Sequence, residues 1–397
     1  MHKIERLLQT LAPKGVEFRK LGEVINILKG KQLNKELLLD YGEYPVMNGG
    51  IHASGYWNEY NTDYPKIIIS QGGASAGYVN YMTSKFWAGA HCYAIELNSE
   101  KLNYKFLYYF LKNSQTILMK SQFGAGIPAL NKADIETLTI PIPPLEIQQE
   151  IVKILDAFTE LNTELNTELK ARKKQYQYYQ NMLLDFKDIN QSHKDAKIKT
   201  YPKRLQTLLQ TLAPKGVEFR KLGEVCEILD NRRIPIAKNK RNPGIYPYYG
   251  ANGIQDYIDS YIFDGDFVLV GEDGSVINKD NTPVVNWASG KIWVNNHAHV
   301  LQTKNELKLK FLYFYLQTID VSYCVAGTPP KINQENLKKI TIPIPPLEIQ
   351  QEIVKILDQF LALTTDLLAG IPAEIEARKK QYEYYREKLL TFKPLKA

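Results

Sequence analysis

TIPIPPLEIQQEIVKILD spans Thr139 to Asp156 and occurs again, unchanged, from Thr341 to Asp358. Each copy reads as the start of a long helix. Pro143 and Pro144, like Pro345 and Pro346, hold the chain extended and fit only ahead of a helix or in its first turn, while Glu146 and Glu150 set negative charge near the positive N-terminal end. Apolar residues then recur at Ile147, Ile151, Ile154, Phe158, Leu161 and Leu165, alternately four and three apart, the spacing of a seam against a partner helix. The second copy offers Ile349, Ile353, Ile356, Phe360, Leu363 and Leu367. Both patterns resume downstream, at Tyr176, Tyr179, Leu183 and Phe186 and at Tyr382, Tyr385, Leu389 and Phe392. The first helix is therefore expected from Glu146 to Phe186, about 60 Å at about 1.5 Å per residue. The two helices are each other's expected partner in a coiled coil. Gly370 and Pro372 should kink or break the second.

A second identity extends the duplication. LLQTLAPKGVEFRKLGEV fills Leu7 to Val24 and returns at Leu208 to Val225, so a constant segment, a variable segment of about 115 residues and a constant helix occur twice. The expected boundaries are 1–145 for the first domain with its constant segment, 146–187 for the central helix, 188–207 for a linker, 208–347 for the second domain and 348–393 for the C-terminal helix. The polar run Lys187–Lys203 has no apolar period and suits an exposed linker.

Each constant segment predicts a short helix (Leu7–Leu11) and a strand (Val16–Phe18). In the first variable segment KIIIS (Lys66–Ser70) and CYAIEL (Cys92–Leu97) read as strands and Tyr104–Lys112 as a buried helix. The second echoes that order with Phe267–Val270, His299–Thr303 and Lys310–Gln317, and Phe123–Leu138 parallels Val325–Ile340. One fold in two divergent copies is expected. A surface that meets two copies of one partner must be the same twice; surfaces that meet two different ligands are free to differ.

Composition narrows the classes. A hydrophobic fraction of 44% with 23% charged residues is that of a globular protein, and a formal charge of +7 favours an acidic partner such as nucleic acid without requiring one. Three scattered cysteines suit a reducing cytoplasm better than a disulfide framework or a four-ligand zinc site, and no apolar run is long enough to span a membrane. GxxxxGK[ST] and GxGxxG are absent, and the Pro-Pro pairs are followed by Leu145, Leu347 and Lys331 rather than the aromatic residue of a base-methylating site. Strand alternation accounts for His91, Cys92, His297 and His299 better than metal binding does, so no metal site is expected. The acidic set Asp264, Asp266, Glu272 and Asp273 could bind a cation or act as acid and base, but reads better as a turn and solvated loop or as acceptors for cytosine amino groups in a groove.

What remains is recognition. Arg232, Arg233, Lys238, Lys240 and Arg241 form a basic loop suited to phosphates, with a thinner counterpart in Lys29, Lys31 and Lys35. Asn48, His52, Asn252 and Gln255 lie in glycine-bearing loops where amides can reach base edges, and Gln71, Ser75, Lys132 and Lys331 complete the candidate DNA-binding set.

This layout resembles the specificity subunit (HsdS) of type I restriction-modification systems over essentially the whole chain. The resemblance rests on the duplicated PIPPLEIQQEIVKILD, the ARKKQY continuation of both helices and TELNTELNTELK (Thr159–Lys170), similar to the tetrapeptide repeats of one subfamily. It implies an α+β chain: two mixed α/β target-recognition domains separated by long antiparallel helices in a coiled coil, with a pseudo-two-fold internal repeat. It further implies a non-catalytic, cytoplasmic reader of a bipartite, asymmetric target in double-stranded DNA, whose helices set the spacer. Two methyltransferase subunits and two restriction/translocase subunits would be its partners, and S-adenosylmethionine, ATP and Mg²⁺ would belong to them. The rival reading is a coiled-coil scaffold that binds only proteins.

Overall fold

The computed structural model describes residues 2–124, 128–186, 201–274, 276–365 and 370–395. The expected linker positions 188–200 and the seam residue Leu367 lie outside them. In chain order the elements begin with α1 (His2–Leu11), β1 (Glu17–Lys20), β2 (Ile25–Lys29), β3 (Tyr44–Met47), β4 (Gly55–Trp57), β5 (Lys66–Ser70), β6 (Val79–Met82), β7 (Trp87–Ala88) and β8 (Cys92–Leu97). Then come α2 (Tyr104–Asn113), α3 (Gln115–Lys120), α4 (Lys132–Glu136), β9 (Thr139–Ile142) and the long α5 (Leu145–Leu184). The second half carries α6 (Lys203–Leu212), β10 (Glu218–Lys221), α7 (Leu222–Val225), β11 (Cys226–Ile228), β12 (Pro243–Gly250), β13 (Gly253–Ile258), β14 (Phe263–Gly271), β15 (Val285–Val294) and β16 (Ala298–Thr303). It ends with α8 (Leu309–Leu316), α9 (Gln334–Lys338), β17 (Thr341–Ile344), α10 (Leu347–Thr365) and α11 (Ile371–Leu390). Helix α6 claims 203–207 from the expected linker, because Leu205 and Leu209 supply a buried face just as Ile4 does in α1.

The chain forms two compact units, Met1–Asn166 with Glu374–Ala397, and Thr167–Ala373. Each therefore owns the start of one long helix and the end of the other. In the first, Ile147, Ile151 and Leu155 of α5 and Leu389 and Leu390 of α11 enter one core with Ile67, Ile95 and Phe106. In the second, Ile349, Ile353 and Leu357 of α10 and Met182, Leu183 and Phe186 join Val268, Leu301 and Phe311. The antiparallel pairing is visible inside each unit: Phe158 lies 5.7 Å from Tyr385, and Tyr179 lies 5.1 Å from Phe360, both stacked.

Part of the expected seam is thus corrected. Ile147, Ile151, Ile349 and Ile353 are wholly buried in the domain cores, because Leu155 and Leu357 extend them into a four-and-four row that faces the sheet-bearing domain. Ile154, Phe158 and Ile356 are half-buried, while Leu363 is exposed. Gly370 belongs to neither α10 nor α11, and Pro372 stands in the first turn of α11, where its missing N–H costs nothing.

The constant segments build the same two-stranded ribbon in each unit: β1 pairs with β9 from Glu17 opposite Ile142, and β10 with β17 from Glu218 opposite Ile344. The variable segments share a topology their sequences hide. In the first, β2-β8-β5-β6 form one sheet and β4-β3-β7 another; in the second, β11-β16-β14-β15-β12-β13 form a single sheet. The long β15 pairs antiparallel with β14 and parallel with β12, doing the work of β6 and β7 together. All three cysteines are buried, and burial pushes the Cys92 and Cys226 thiols up to about 12. No helix among the described residues is long and apolar enough to cross a membrane.

Candidate nucleic-acid interface

The two ends of strand β8 have different fates. At its C-terminal end the loop into α2 is gripped by the constant helix, since Gln148 accepts from Asn103 N at 2.7 Å and donates to Lys101 O at 2.8 Å and Pro143 O at 2.6 Å. Its N-terminal end, about 20 Å away at about 3.4 Å per residue, carries the variable loops. There Gly30 N donates to Cys92 O, Lys31 N to Ala88 O, His91 N to Asn48 Oδ1, and Gln71 N to His91 O. Leu130 N donates to Gln71 O and Gly73 N to Pro128 O. Lys29, Lys31, Asn48, His52, Gln71 and Ser75, scattered in sequence, are thereby gathered at one end of the sheet. Lys29, Lys31 and His52 are exposed, whereas Asn48 and Gln71 are half-buried and help hold the loops. Lys132 starts α4 and pairs with Glu136 at 3.3 Å.

The second unit repeats the plan. Gln350 accepts from Lys308 N at 2.8 Å and donates to Glu306 O at 2.9 Å and Pro345 O at 2.7 Å. At the far end of β16, Ile234 N donates to Val294 O, Glu272 N to His297 O, Ile332 N to Glu272 O and Gly274 N to Pro330 O. These bonds match, one for one, those of Lys31, Gln71, Leu130 and Gly73.

Side-chain chemistry separates the two ends. Arg233 is only 11% exposed; it donates to Glu272 at 2.6 Å and to Ala298 O at 2.8 Å and faces Asp230 at 3.3 Å. Arg241 donates to Ile236 O at 3.0 Å, pairs with Asp256 at 3.3 Å and lies 4.1 Å over the Tyr248 ring. Both read as phosphate ligands from sequence, and both are engaged inside the domain, because strand pairing brings carboxylates to them that lie far away in the chain. Arg232 bonds Ile262 O and covers Phe263 but stays exposed; Lys238, Lys240, Asn252 and Gln255 are exposed, and Lys331 pairs with Glu272 at 3.0 Å.

Glu272 is split from the rest of the acidic set: Asp266 accepts from Ser289 at 2.5 Å and Asp264 lies opposite Lys291 on β15. It joins Asp230 and His299 instead, with ligand atoms all within 4.8 Å, a grouping that could hold a metal ion. Its electrostatics fit an internal ion-pair network better. His299, 0% exposed, meets Asp230 at 2.6 Å through Nδ1 and Ile332 O at 2.8 Å through Nε2, while Arg233 and Lys331 occupy Glu272. Burial alone would raise the Asp230 carboxyl; the hydrogen bond and charge of His299, with Arg233, outweigh it and hold it below its ordinary value. In the first unit the equivalent place is neutral, Tyr93 donating to Leu130 O at 3.2 Å beside Gln71.

Asp230, His91 and His297 escaped the sequence reading as members of this end. A signal was present for the histidines: Trp87 and Trp293 each precede one by four positions, and their indoles donate to Lys31 O at 3.1 Å and Ile234 O at 2.6 Å, anchoring the first loop. His297 sits in the turn ahead of β16 rather than on the strand.

A family model described as the type I restriction modification DNA specificity domain matches residues 13–175 and again 214–377. The chain is 45% identical over 194 residues to a putative type I restriction enzyme specificity subunit of Haemophilus influenzae, covering 47% of this chain and 50% of that protein. A type I restriction enzyme specificity subunit of Escherichia coli is 28% identical across 99% of this chain and 97% of its own. The crystal structure of the S subunit of a type I restriction-modification system from M. genitalium superimposes with a TM-score of 0.62 at 22% identity, covering 95% of this chain and 96% of that one. With its specificity-domain match occurring once in each repeat, the chain belongs to the family of type I restriction-modification specificity subunits.

Proposed function

We propose that each variable domain reads one half of a bipartite, asymmetric duplex target through the loops at the far ends of β8 and β16. One observation carries this: the same backbone end is built twice on identical constant frames, with unlike side chains exposed on it. Lys29, Lys31, Arg232, Lys238 and Lys240 serve as phosphate contacts, and His52, Asn252 and Gln255 are placed to meet base edges. Ser75 and Lys331 border the same loops; Asn48, Gln71, Arg233 and Arg241 shape them from within. The identical segments, Leu7–Val24 and Leu208–Val225 with the starts of α5 and α10, dock two methyltransferase subunits, and two restriction/translocase subunits complete the assembly in the cytoplasm. The chain itself is not the catalyst. S-adenosylmethionine, ATP and Mg²⁺ act in the partner subunits.

The test is co-expression with the methyltransferase subunit of the same system, followed by mapping of methylated adenines by single-molecule sequencing. A bipartite motif with a fixed gap is expected, and exchanging Cys226–Ile340 for another such domain should alter one half only. A soluble, assembled complex that adds no methylation would defeat the proposal and favour a protein-only scaffold.

A further inference from the structure

His91 and His297 occupy one backbone slot in two unlike domains. Each follows its tryptophan by four positions, each gives its carbonyl to the residue that opens the next loop (Gln71 N and Glu272 N), and each precedes the strand gripped at its other end by Gln148 or Gln350. Beside them, the equivalent glycines Gly73 and Gly274 have left-handed φ values of +78° and +80° and open space where a side chain would stand. Around His91 the floor is also glycine: a Cβ on Gly49 would stand 3.1 Å from the His91 Cβ, and one on Gly72 would stand 3.5 Å from its Nδ1. The imidazoles thus rise from a floor that lets another molecule come close.

We propose, resting on the DNA-reading function above, that these two histidines each read one base pair, His91 in the first half-site and His297 in the second. For His297 the chemistry can be named. Its side chain is 47% exposed, and Nδ1 bonds the Asp273 carboxylate. An ionised carboxylate only accepts, so the proton of a neutral ring sits on Nδ1 and the Nε2 lone pair is left free; Nε2 has no partner among the described residues. A lone pair at that point accepts from an exocyclic amino group, adenine N6 or cytosine N4 in the major groove, and finds no donor on guanine O6 or thymine O4. His91 has no such carboxylate: Gly72 stands where the second domain has Asp273, and neither ring nitrogen is bonded among the described residues. The slot is shared and its hydrogen-bond polarity is fixed in only one domain.

The experiment compares methylation motifs from complexes carrying wild-type chain, His91→Ala, His297→Ala or Asp273→Asn, each co-expressed with its methyltransferase subunit. His297→Ala should relax one base pair of the second half-site by about tenfold or more and leave the first intact, with His91→Ala doing the reverse. Asp273→Asn, which keeps the imidazole but frees its tautomer, should relax the same base pair as His297→Ala. That variant also decides the case in which His297→Ala fails to assemble: a relaxed base pair supports the assignment and an unchanged motif overturns it. Uniformly weaker methylation with an unaltered motif would make the histidines phosphate contacts and overturn it too. If the wild-type complex yields no bipartite motif, the DNA-reading function fails instead, a result distinct from an intact motif with indifferent histidines.

Discussion

The backbone N–H of Asn103 donates to Gln148 Oε1 at 2.7 Å, and Gln350 makes the same bond to Lys308 N at 2.8 Å in the other unit. Both glutamine side chains are wholly buried, and each also satisfies two carbonyls, one of them just ahead of its own helix. A buried amide with all these partners fixes how the domain meets the constant helix. Gln148→Leu and Gln350→Leu would each orphan one backbone N–H and two carbonyls, a loss of at least about 2 kcal/mol. Thermal unfolding of the two variants should show comparable drops in Tm. A variant that melts with the wild type would show the clamp to be dispensable.

Arg233 and Lys238 lie in one basic loop and should behave oppositely. Removing Arg233 leaves Glu272 and Asp230 short of a buried cation, so Arg233→Met should cost about 3 kcal/mol or more of stability in the second unit. Lys238→Ala, at an exposed position with no ion pair among the described residues, should leave stability within about 0.5 kcal/mol of wild type. It should instead lower the slope of log K against log salt for duplex DNA by about one, as the loss of a phosphate contact does. Denaturation midpoints with a salt titration of the complex separate the two; a lost salt slope in a stable Arg233→Met protein would reverse the assignment.

Lys112 supplies a pH signature. Burial, with Arg386 nearby, lowers its ammonium from 10.5 to about 8, while it donates to Val79 O and Gln115 at 2.8 Å. Between those values the unfolded chain binds more protons than the folded one, so this contribution to stability is full above about 10.5 and is lost as pH falls through about 8. Tyr104 and Tyr108, raised from 10.0 to about 12 by burial, act in the opposite sense only above pH 10. The Tm of the wild type should therefore rise, relative to Lys112→Met, between pH 7.5 and pH 9.5. Parallel pH courses for the two proteins would contradict this reading.

Elements with a local cause were legible in the chain. KIIIS became β5 residue for residue, and the paired prolines placed the start of α5 within one residue of expectation. The seam was less legible, because four-and-three and four-and-four spacings share Ile147 and Ile151, and Leu155 alone tells them apart. Least legible was the equivalence of the two reading ends. Lys31 and Ile234 donate the same backbone bond, to Ala88 O and Val294 O, yet as side chains they have nothing in common. Backbone bonds leave no mark on residue type, so Asp230 entered its network unannounced and Arg233 passed for a free cation.

The TELN repeats offer the last prediction. Through them α5 stays helical, with Leu161, Leu165 and Leu169 half-buried and four residues apart, a stutter relative to a heptad. Two of their polar residues bond back along the helix: Thr163 Oγ1 donates to Thr159 O at 2.9 Å and Asn166 Nδ2 to Asn162 O at 2.7 Å. Deleting Thr163–Asn166 should shorten α5 by about 6 Å, close to the rise of about two base pairs, and rotate the C-terminal part of the helix by about 40°. Methylation mapping should then return both half-sites unchanged with a shorter gap between them. Altered half-sites around an unaltered gap would show that spacer length is set elsewhere than in this helix.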